Sequence, residues 1–122
     1  MQIDQSLPQD QLYFASYDEA GVQVGEVRYE TPIRLDETQV VSLPELVFAD
    51  VNEDTFADAL DARPELIIFG CGPTQKFLHP KITAHLTRQG IGFEVMITPS
   101  ACRTFNILKD EGRRVWAWIM PH

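Results

Sequence analysis

The sequence predicts an α/β fold, with a β-meander in the first half and a strand–helix–strand–helix–strand unit in the second. Residues 66–69 read LIIF, a continuous apolar run that is typical of a strand buried on both faces. The segments that follow alternate between helical patterns and apolar runs, which favours parallel strands joined by right-handed crossovers. Before residue 52 the chain instead carries short β-rich runs separated by acidic turns, the pattern of a meander.

The first half predicts several short strands. Residues 1–10 are polar and contain Pro8, and we expect them to form a loose lead-in. Two β-rich runs follow at 12–17 and 22–29, separated by a turn signal, and Gly25 predicts a bulge in the second run. Further strands are expected at 33–35, 40–43 and 46–49.

A helix is predicted after Asn52, whose side chain is suited to cap a first turn. Val51 and Phe56 have the spacing of a hydrophobic staple across that cap. Pro64 ends the pattern, because the residue before a proline disfavours the helical conformation.

The second half predicts helices and strands in turn. The expected elements are a strand at 66–69, a helix at 80–89, a strand at 93–97, a helix from 98 and a strand at 115–120. Pro80 suits a first helical position, and Thr98 followed by Pro99 predicts an N-cap and a first helical position in the next helix. The direction of the last strand is left open.

Length and composition indicate one domain, residues 1–122, without a linker. A chain of 122 residues with 44% hydrophobic residues can bury a core of its own. No apolar run approaches the roughly 20 residues that span a bilayer, and the N-terminus lacks the basic and then apolar profile of a secretory signal. We therefore expect a cytoplasmic protein with no membrane insertion.

Charge is distributed unevenly along the chain. The net charge of −8 combines 15 acidic and 3 basic residues in 1–65 with 3 acidic and 7 basic residues in 66–122. Nucleic acid binds through a clustered positive surface, which the acidic half opposes and the sparse basic half does not supply. The sequence therefore predicts no nucleic-acid partner.

Two loops are the candidate site, because ligands of open α/β sheets bind outside the carboxyl ends of the strands. They are the loop at 70–74 and the helix start at 98–103, and we expect them to lie side by side. At the second, Ser100 and Arg103 would add donors to the free N–H groups of a helix N-terminus that receives an anion. The alternative is that Thr98 caps its own helix.

Gly70 and Gly72 follow the buried strand, as in a dinucleotide fingerprint, but the third glycine is absent. A tight turn with a close backbone approach is the other interpretation, and the one we favour. Thr74 closes the loop.

The two cysteines, Cys71 and Cys102, each lie just past a predicted strand end and are expected as reduced thiols. If they are neighbours, a thiolate at the helix N-terminus beside Arg103 would have a lowered pKa and a redox or nucleophilic role. Otherwise both are small buried hydrophobic residues.

Other polar residues give no catalytic set. Asn106 lies mid-helix, where it either contacts a ligand or ties the helix to an adjacent segment by a hydrogen bond. His79 and His85 are six residues apart, which is not the spacing of a helical metal site. We expect no catalytic residue, metal or cofactor; Trp116 and Trp118 belong either to a partner surface or to the core.

Four segments resemble a small α/β family of largely unknown function. They are LIIFGCG at 66–72, GIGFEV at 90–95, TPSACRTFNIL at 98–108 and EGR at 111–113. The family's eukaryotic members include a mitochondrial assembly factor for respiratory complex I and an adipogenesis-associated protein. The resemblance implies a three-layer fold around a central mixed, mostly parallel sheet, and an accessory or assembly role without established catalytic residues.

We therefore expect a non-enzymatic accessory or assembly-type protein that binds a protein partner. The alternative is a protein that binds a small molecule or an anion through the same loops. That alternative includes an enzyme and a thiol-redox protein. Neither the partner nor the oligomeric state is predicted. The candidate binding residues are Gly70, Cys71, Gly72, Thr74, Thr98, Ser100, Cys102, Arg103 and Asn106.

Overall fold

A computed structural model describes residues 4–122 and contains nine strands and three helices within them. In chain order the strands are β1 (Asp4–Ser6), β2 (Phe14–Tyr17), β3 (Val22–Val24), β4 (Val27–Tyr29), β5 (Ile33–Leu35), β6 (Gln39–Ser42), β7 (Leu66–Cys71), β8 (Gly92–Met96) and β9 (Val115–Met120). The helices are α1 (Ala57–Ala62), α2 (Pro80–Arg88) and α3 (Thr98–Asp110). No helix of this part of the chain is long and apolar enough to cross a membrane.

The central sheet has six strands in the order β1-β6-β5-β9-β7-β8. β7 lies between β8 and β9 and is parallel to both, so the βαβαβ unit is confirmed and the last strand runs with the other two. The remaining pairings, β1 with β6, β6 with β5 and β5 with β9, are antiparallel. The sheet is mixed, as predicted, but its parallel part is confined to β7, β8 and β9.

The pairing places two groups of loops at opposite ends of the strands of this sheet. Strands β7, β8 and β9 are parallel and therefore end on the same side of the sheet, which we call one edge. β6 ends there too, because β5 is antiparallel to both β6 and β9, and Ile33 of β5 lies opposite Ser42 and Ile119. We call this edge the carboxyl rim; it comprises residues 18–21, 43–48, 72–79, 97–100 and 121–122. The opposite edge, the amino rim, comprises residues 36–38, 63–65 and 113–114.

Alternating side chains of the central sheet face two separate cores, and this makes the fold three-layered. On one face, Ala117 and Ile119 pack with α3 and with a second sheet of β2, β3 and β4; this is the first core. On the other face, Trp116 and Trp118 pack with α1 and α2 in the second core. The predicted three-layer architecture is therefore confirmed.

The cap predicted at Asn52 is present. Its Oδ1 accepts a hydrogen bond from the Asp54 N–H at 2.8 Å, and the Thr55 hydroxyl accepts one from the Asn52 N–H at 3.0 Å. The first turn is a 3-10 turn, Glu53–Phe56, that continues into α1. The helix ends at Arg63, which adopts a left-handed conformation with φ 53° before the proline.

Two predicted strands of the first half are different in the structure. Residues 46–49 do not form a strand; Phe48–Asp50 is a 3-10 turn. Both sides of β6 are already paired, so the segment that follows cannot pair with the strand that it leaves. The run 22–29 is two strands rather than one bulged strand, because Gly25 with φ 56° forms the tight turn between β3 and β4.

Part of the expected lead-in is ordered into elements. Residues 4–6 form the edge strand β1, and Gln9–Gln11 is a 3-10 turn. Residues 1–3 lie outside the part of the chain that the structure describes.

A buried arginine joins the acidic first half to the tryptophans of β9. The Arg34 side chain donates to Asp58 at 2.7 Å and to Asp36 at 3.0 Å. Its guanidinium lies 5.1 Å from the ring centroid of Trp116 and 6.0 Å from that of Trp118. Both tryptophans are buried, at 6% and 1% exposure, so they belong to the core and not to a partner surface.

Phe56 is the centre of the second core. Its ring makes edge-to-face contacts with Phe69, Phe93 and Trp118, and the side chain is fully buried. Phe56→Ala should lower the free energy of unfolding by about 3–5 kcal/mol, because it leaves a cavity and removes the aromatic contacts. Urea denaturation measures this; the matched Ile107→Ala, at an exposed position, should stay within about 0.5 kcal/mol of wild type. Equal effects would contradict this account of the core.

Candidate functional site

The two predicted site loops lie side by side on the carboxyl rim. The Thr98 N–H donates to the Gly72 carbonyl oxygen at 2.9 Å. In return, the Gly72 N–H donates to the Thr98 hydroxyl, also at 2.9 Å. These two hydrogen bonds join the end of β7 to the start of α3.

The Thr98 hydroxyl also reaches the third parallel strand. It donates to the Met120 carbonyl oxygen at 2.5 Å, and Thr98 is 3% exposed. The prediction of Thr98 as an N-cap is therefore wrong: Ile97 precedes the helix, Thr98 and Pro99 are its first two residues, and no side chain caps it. The hydroxyl is not available to the helix because it bridges β7 and β9.

Gly70 and Cys71, which were predicted in the loop, lie within β7, and only Gly72 belongs to the turn after it. Both glycines have the structural roles that we favoured. A Cβ atom on Gly70 would lie 2.9 Å from the Ile119 Cδ1 atom and 3.1 Å from the Ala101 Cβ atom. Gly70 therefore lets α3 approach the sheet closely. Gly72 has φ 98°, a left-handed conformation that suits glycine at the turn.

The same rim encloses a cavity of about 480 Å³, which we call the rim cavity. It is lined by Tyr17, Asp18, Glu19, Gly72, Pro73, Thr98, Pro99, Pro121 and His122. Its walls come from the ends of all three parallel strands and from the turn between β2 and β3. Gly72 and Thr98 are the predicted site residues that line it.

The turn at 18–21, which forms one wall, is organised by Asp18. Its Oδ1 atom accepts hydrogen bonds from the N–H groups of Ala20 and Gly21. The same atom accepts one from the Arg28 Nη2 atom at 2.7 Å. The hydrogen bond from Arg28, followed by that from Ala20, lowers the pKa of the Asp18 carboxyl. Asp18 is therefore ionised at neutral pH. Sequence reasoning identified this turn but gave no signal that it packs against the loops of the sheet.

The donors proposed for an anion are engaged elsewhere. The Thr98 N–H is bound to Gly72, and Pro99 has no N–H. Arg103 donates to the Tyr17 hydroxyl at 2.9 Å and to the Ser100 hydroxyl at 3.4 Å. The Thr98 N–H and the Arg103 guanidinium at this helix start thus already have partners within the protein, which does not favour an anion site.

The two cysteines lie on opposite faces of the central sheet. Cys71 is in the second core, where its thiol donates to the Thr74 carbonyl at 3.4 Å and accepts from the Lys76 N–H at 3.3 Å. Cys102 is fully buried in the first core, and burial raises the pKa of its thiol to about 12 despite the nearby Arg103. The structure does not bring them together, and at Cys102 burial opposes the thiolate that a nucleophile needs.

Asn106 ties α3 to the small sheet. Its side-chain oxygen accepts from the Phe14 N–H and its side-chain nitrogen donates to the Phe14 carbonyl, both at 2.9 Å. The rings of Phe14 and Phe105 make an edge-to-face contact beside it, with centroids 5.2 Å apart. Of the two interpretations of Asn106, this arrangement supports the structural hydrogen bond, although to a strand rather than a loop.

Metal-ligating side chains do not cluster in residues 4–122: no group of three or more His, Cys, Asp or Glu is placed to hold an ion. The His79 Nδ1 atom accepts from the Lys81 N–H at 3.0 Å and so caps α2. His85 lies 4.0 Å from the Glu53 carboxylate.

Large exposed apolar side chains on the carboxyl rim are a feature that sequence reasoning missed. Phe77 is 79% exposed and Val47 is 50% exposed. The Lys76 ammonium lies 5.3 Å from the centroid of the Phe48 ring, which brings the segments carrying these residues together. No periodic signal marks either residue, because both lie outside helices and strands.

The comparison with known proteins identifies the family. A family model described as "Protein of unknown function (DUF498/DUF598)" matches residues 14–120. The chain belongs to this family. The match ends at residue 120, so it includes the walls of the rim cavity after β7 and β8 and the turn at 18–21, but not Pro121 and His122. This is the family that the resemblance in the sequence indicated, and that prediction is confirmed.

Proteins with similar sequences have different names. A bovine protein named NADH dehydrogenase (ubiquinone) 1 alpha subcomplex assembly factor 3 is 33% identical over 112 residues, 90% of this chain and 61% of that protein. A Francisella tularensis protein named 13 kDa major membrane protein is 24% identical over 117 residues, 94% of this chain and 95% of that one. The chain thus spans about three fifths of the length of the curated assembly-factor relatives.

Solved structures have the same architecture. The crystal structure of a Bordetella parapertussis protein aligns with a TM-score of 0.83 and 33% sequence identity, over 90% of this chain and 95% of that one. The mixed α/β fold of the DUF498/DUF598 chain is therefore shared with an experimentally determined relative.

Thr98→Val tests the hydroxyl bridge. Valine has nearly the same shape but leaves the Gly72 N–H and the Met120 carbonyl without their partner, which should cost about 2–4 kcal/mol of unfolding free energy. Thr98→Ser keeps the hydroxyl and should lose only about 1 kcal/mol for the missing methyl. Denaturant unfolding together with amide hydrogen exchange at Gly72 measures both; equal stability of the two variants would contradict the bridge.

Cys102 should make stability decrease in alkali. Its pKa is raised in the folded state, so the folded thiol keeps its proton at pH values where the unfolded thiol loses it. The free energy of unfolding should therefore fall between pH 9 and 12, by at most about 1.4 kcal/mol per pH unit from this group. Cys102→Ala should remove that component, as shown by the difference between the two proteins in urea unfolding at pH 8 and 10. An unchanged difference would contradict the burial effect.

Proposed function

We propose that this chain is a non-enzymatic accessory protein of the assembly type, which binds a protein partner through the carboxyl rim. The observation that carries the proposal is the apolar rim cavity with exposed Phe77 and Val47 on the same rim. Exposed apolar side chains on a surface rimmed by polar residues are typical of protein interaction sites. The bovine relative is named an assembly factor, which supports the same class of role for this chain.

The two rims of the sheet differ in a way that favours one of them for binding. On the amino rim, Arg114 donates to both Glu37 carboxylate oxygens, at 3.0 and 2.8 Å, and to the carbonyls of Ala62 and Arg63. The hydrogen bonds from Arg114 lower the pKa of the Glu37 carboxyl, so the pair is charged at neutral pH. Polar groups of that edge satisfy one another, whereas the carboxyl rim presents apolar side chains to solvent.

The polar groups around the rim cavity support binding rather than catalysis. The Thr98 hydroxyl is used twice within the fold, and the Arg103 guanidinium is held by Tyr17 and Ser100. A catalytic nucleophile needs a base within hydrogen-bond reach, and the buried thiols of Cys71 and Cys102 have none.

A small-molecule ligand is the second candidate. The volume of the rim cavity, about 480 Å³, lies in the range of roughly 300–1,000 Å³ that is usual for ligand pockets. A ligand held at 100 times its dissociation constant would stabilise the purified protein by about 2.7 kcal/mol, which a thermal-shift screen of metabolites detects.

Location and whole-protein role are part of the proposal. The assembly-factor relatives are longer than this chain, so their names describe proteins of which it matches about three fifths. Two unpaired, buried thiols support a reducing compartment, and we propose the cytoplasm.

Site-specific photo-crosslinking in the native cell tests the proposal. A photoreactive amino acid at Thr74, exposed on the carboxyl rim, should yield a discrete protein adduct. The matched position is Thr87, exposed near the end of α2, which should yield none. Phe77→Ser should reduce the adduct roughly tenfold, because truncated aromatic anchors cost about 1–2 kcal/mol or more of binding energy.

The contradicting results are specific. Equal labelling from positions 74 and 87, or no protein adduct at 74 in cells that contain the endogenous partners, would refute partner binding at this rim. Circular dichroism should be the same for wild type and Phe77→Ser, since Phe77 is 79% exposed.

A further inference from the structure

We propose that the rim cavity receives a cationic side chain, lysine or arginine, of the protein partner. This inference rests on the proposed function and specifies the partner's chemistry at that site. Its aliphatic stem would lie between the prolines of the cavity, and its charged end would meet Glu19 and Asp18.

The walls of the rim cavity suit a methylene stem. Pro73 and Pro121 follow β7 and β9, Pro99 is the second residue of α3, and Tyr17 closes the side formed by the small sheet. Lysine and arginine bury their stems along apolar surface while the charged group stays at its edge. An apolar cavity with charge at one side therefore fits these side chains better than a uniformly apolar one.

The charge at the cavity is acidic. Its lining contains two carboxylates, those of Asp18 and Glu19, one imidazole, that of His122, and no lysine or arginine. Glu19 is exposed and has no hydrogen bond or ion pair to any residue that the structure describes. The two arginines that contact residues of this lining are already paired: Arg28 with Asp18 and Glu30, and Arg103 with the Tyr17 hydroxyl. Glu19 is thus the carboxylate left for an incoming charge.

Other occupants fit less well. An anion would face the two carboxylates, and the first N–H of α3 is already bound to the Gly72 carbonyl. A neutral apolar side chain would cover Glu19 without supplying a partner, and burying an unpaired charge is costly. The first half of the chain, with 15 acidic and 3 basic residues, also favours a basic partner.

Peptide titration followed by NMR tests this chemistry on the full chain. The probes are acetyl-Ala-Arg-Ala-amide and its citrulline counterpart, which has the same shape without the charge. The arginine peptide should shift the amide signals of Gly72 and Thr98 and bind about three-fold or more tightly than the citrulline peptide. Added salt should reduce that ratio.

Two variants locate the charge. Glu19→Gln should bring the two dissociation constants together, whereas Glu26→Gln, an exposed glutamate in the turn between β3 and β4, should leave the ratio unchanged. Both positions are exposed, so both proteins should fold as the wild type does.

Three results would overturn the inference: equal binding of the two peptides by wild type, tighter binding of acetyl-Ala-Glu-Ala-amide, or no shift at the rim cavity with any of them. If the crosslink from position 74 persists in those cases, partner binding stands and the cationic occupant does not. Absence of that crosslink would remove the proposed function, and with it the partner to which the inference assigns a side chain.

Discussion

The hydroxyl group of Thr98 holds together the carboxyl rim, where the rim cavity lies. The Thr98 Oγ1 atom accepts from the Gly72 N–H and donates to the Met120 carbonyl, so three chain segments converge on a single buried atom. Buried backbone groups at the ends of strands need partners, and here a side chain supplies them. The loops after β7 and β9 are thereby held at the first turn of α3, and the rim cavity is the space left above that junction.

The division of the interior into two cores explains why the two thiols lie apart. Alternate residues of a strand face opposite sides, so Ala117 and Ile119 enter one core while Trp116 and Trp118 enter the other. The cysteines follow the same division, and a sheet lies between them. Two thiols that are close to strand ends in sequence are thus separated by the layer that those strands build.

Sequence patterns identified the second half well and the first half less well. The run at 66–69 and the prolines at the helix starts are local signals, and each predicted element of that half is present. Pairing is not local: nothing in residues 46–49 shows that β6 already has two neighbours, and nothing in residues 18–21 shows that this turn reaches the loops of another sheet. Arg34 was missed because its burial follows from the pairing of β5 with the distant β9, which brings its guanidinium over Trp116. The side-by-side loops could be predicted because parallel strands end at one edge; the cavity wall from the small sheet could not.

The attachment of the small sheet has a consequence for how the family can diversify. Asn106 and Phe14 join that sheet to α3 through two hydrogen bonds, and neither belongs to the turn that supplies Asp18 and Glu19. Exposed turns tolerate substitution and insertion far better than the frameworks that carry them. In the proposed binding site, mutations at Glu19 would change which molecule is recognised while the cost of keeping the chain folded stays the same. Selection can act on specificity and on stability as separate traits.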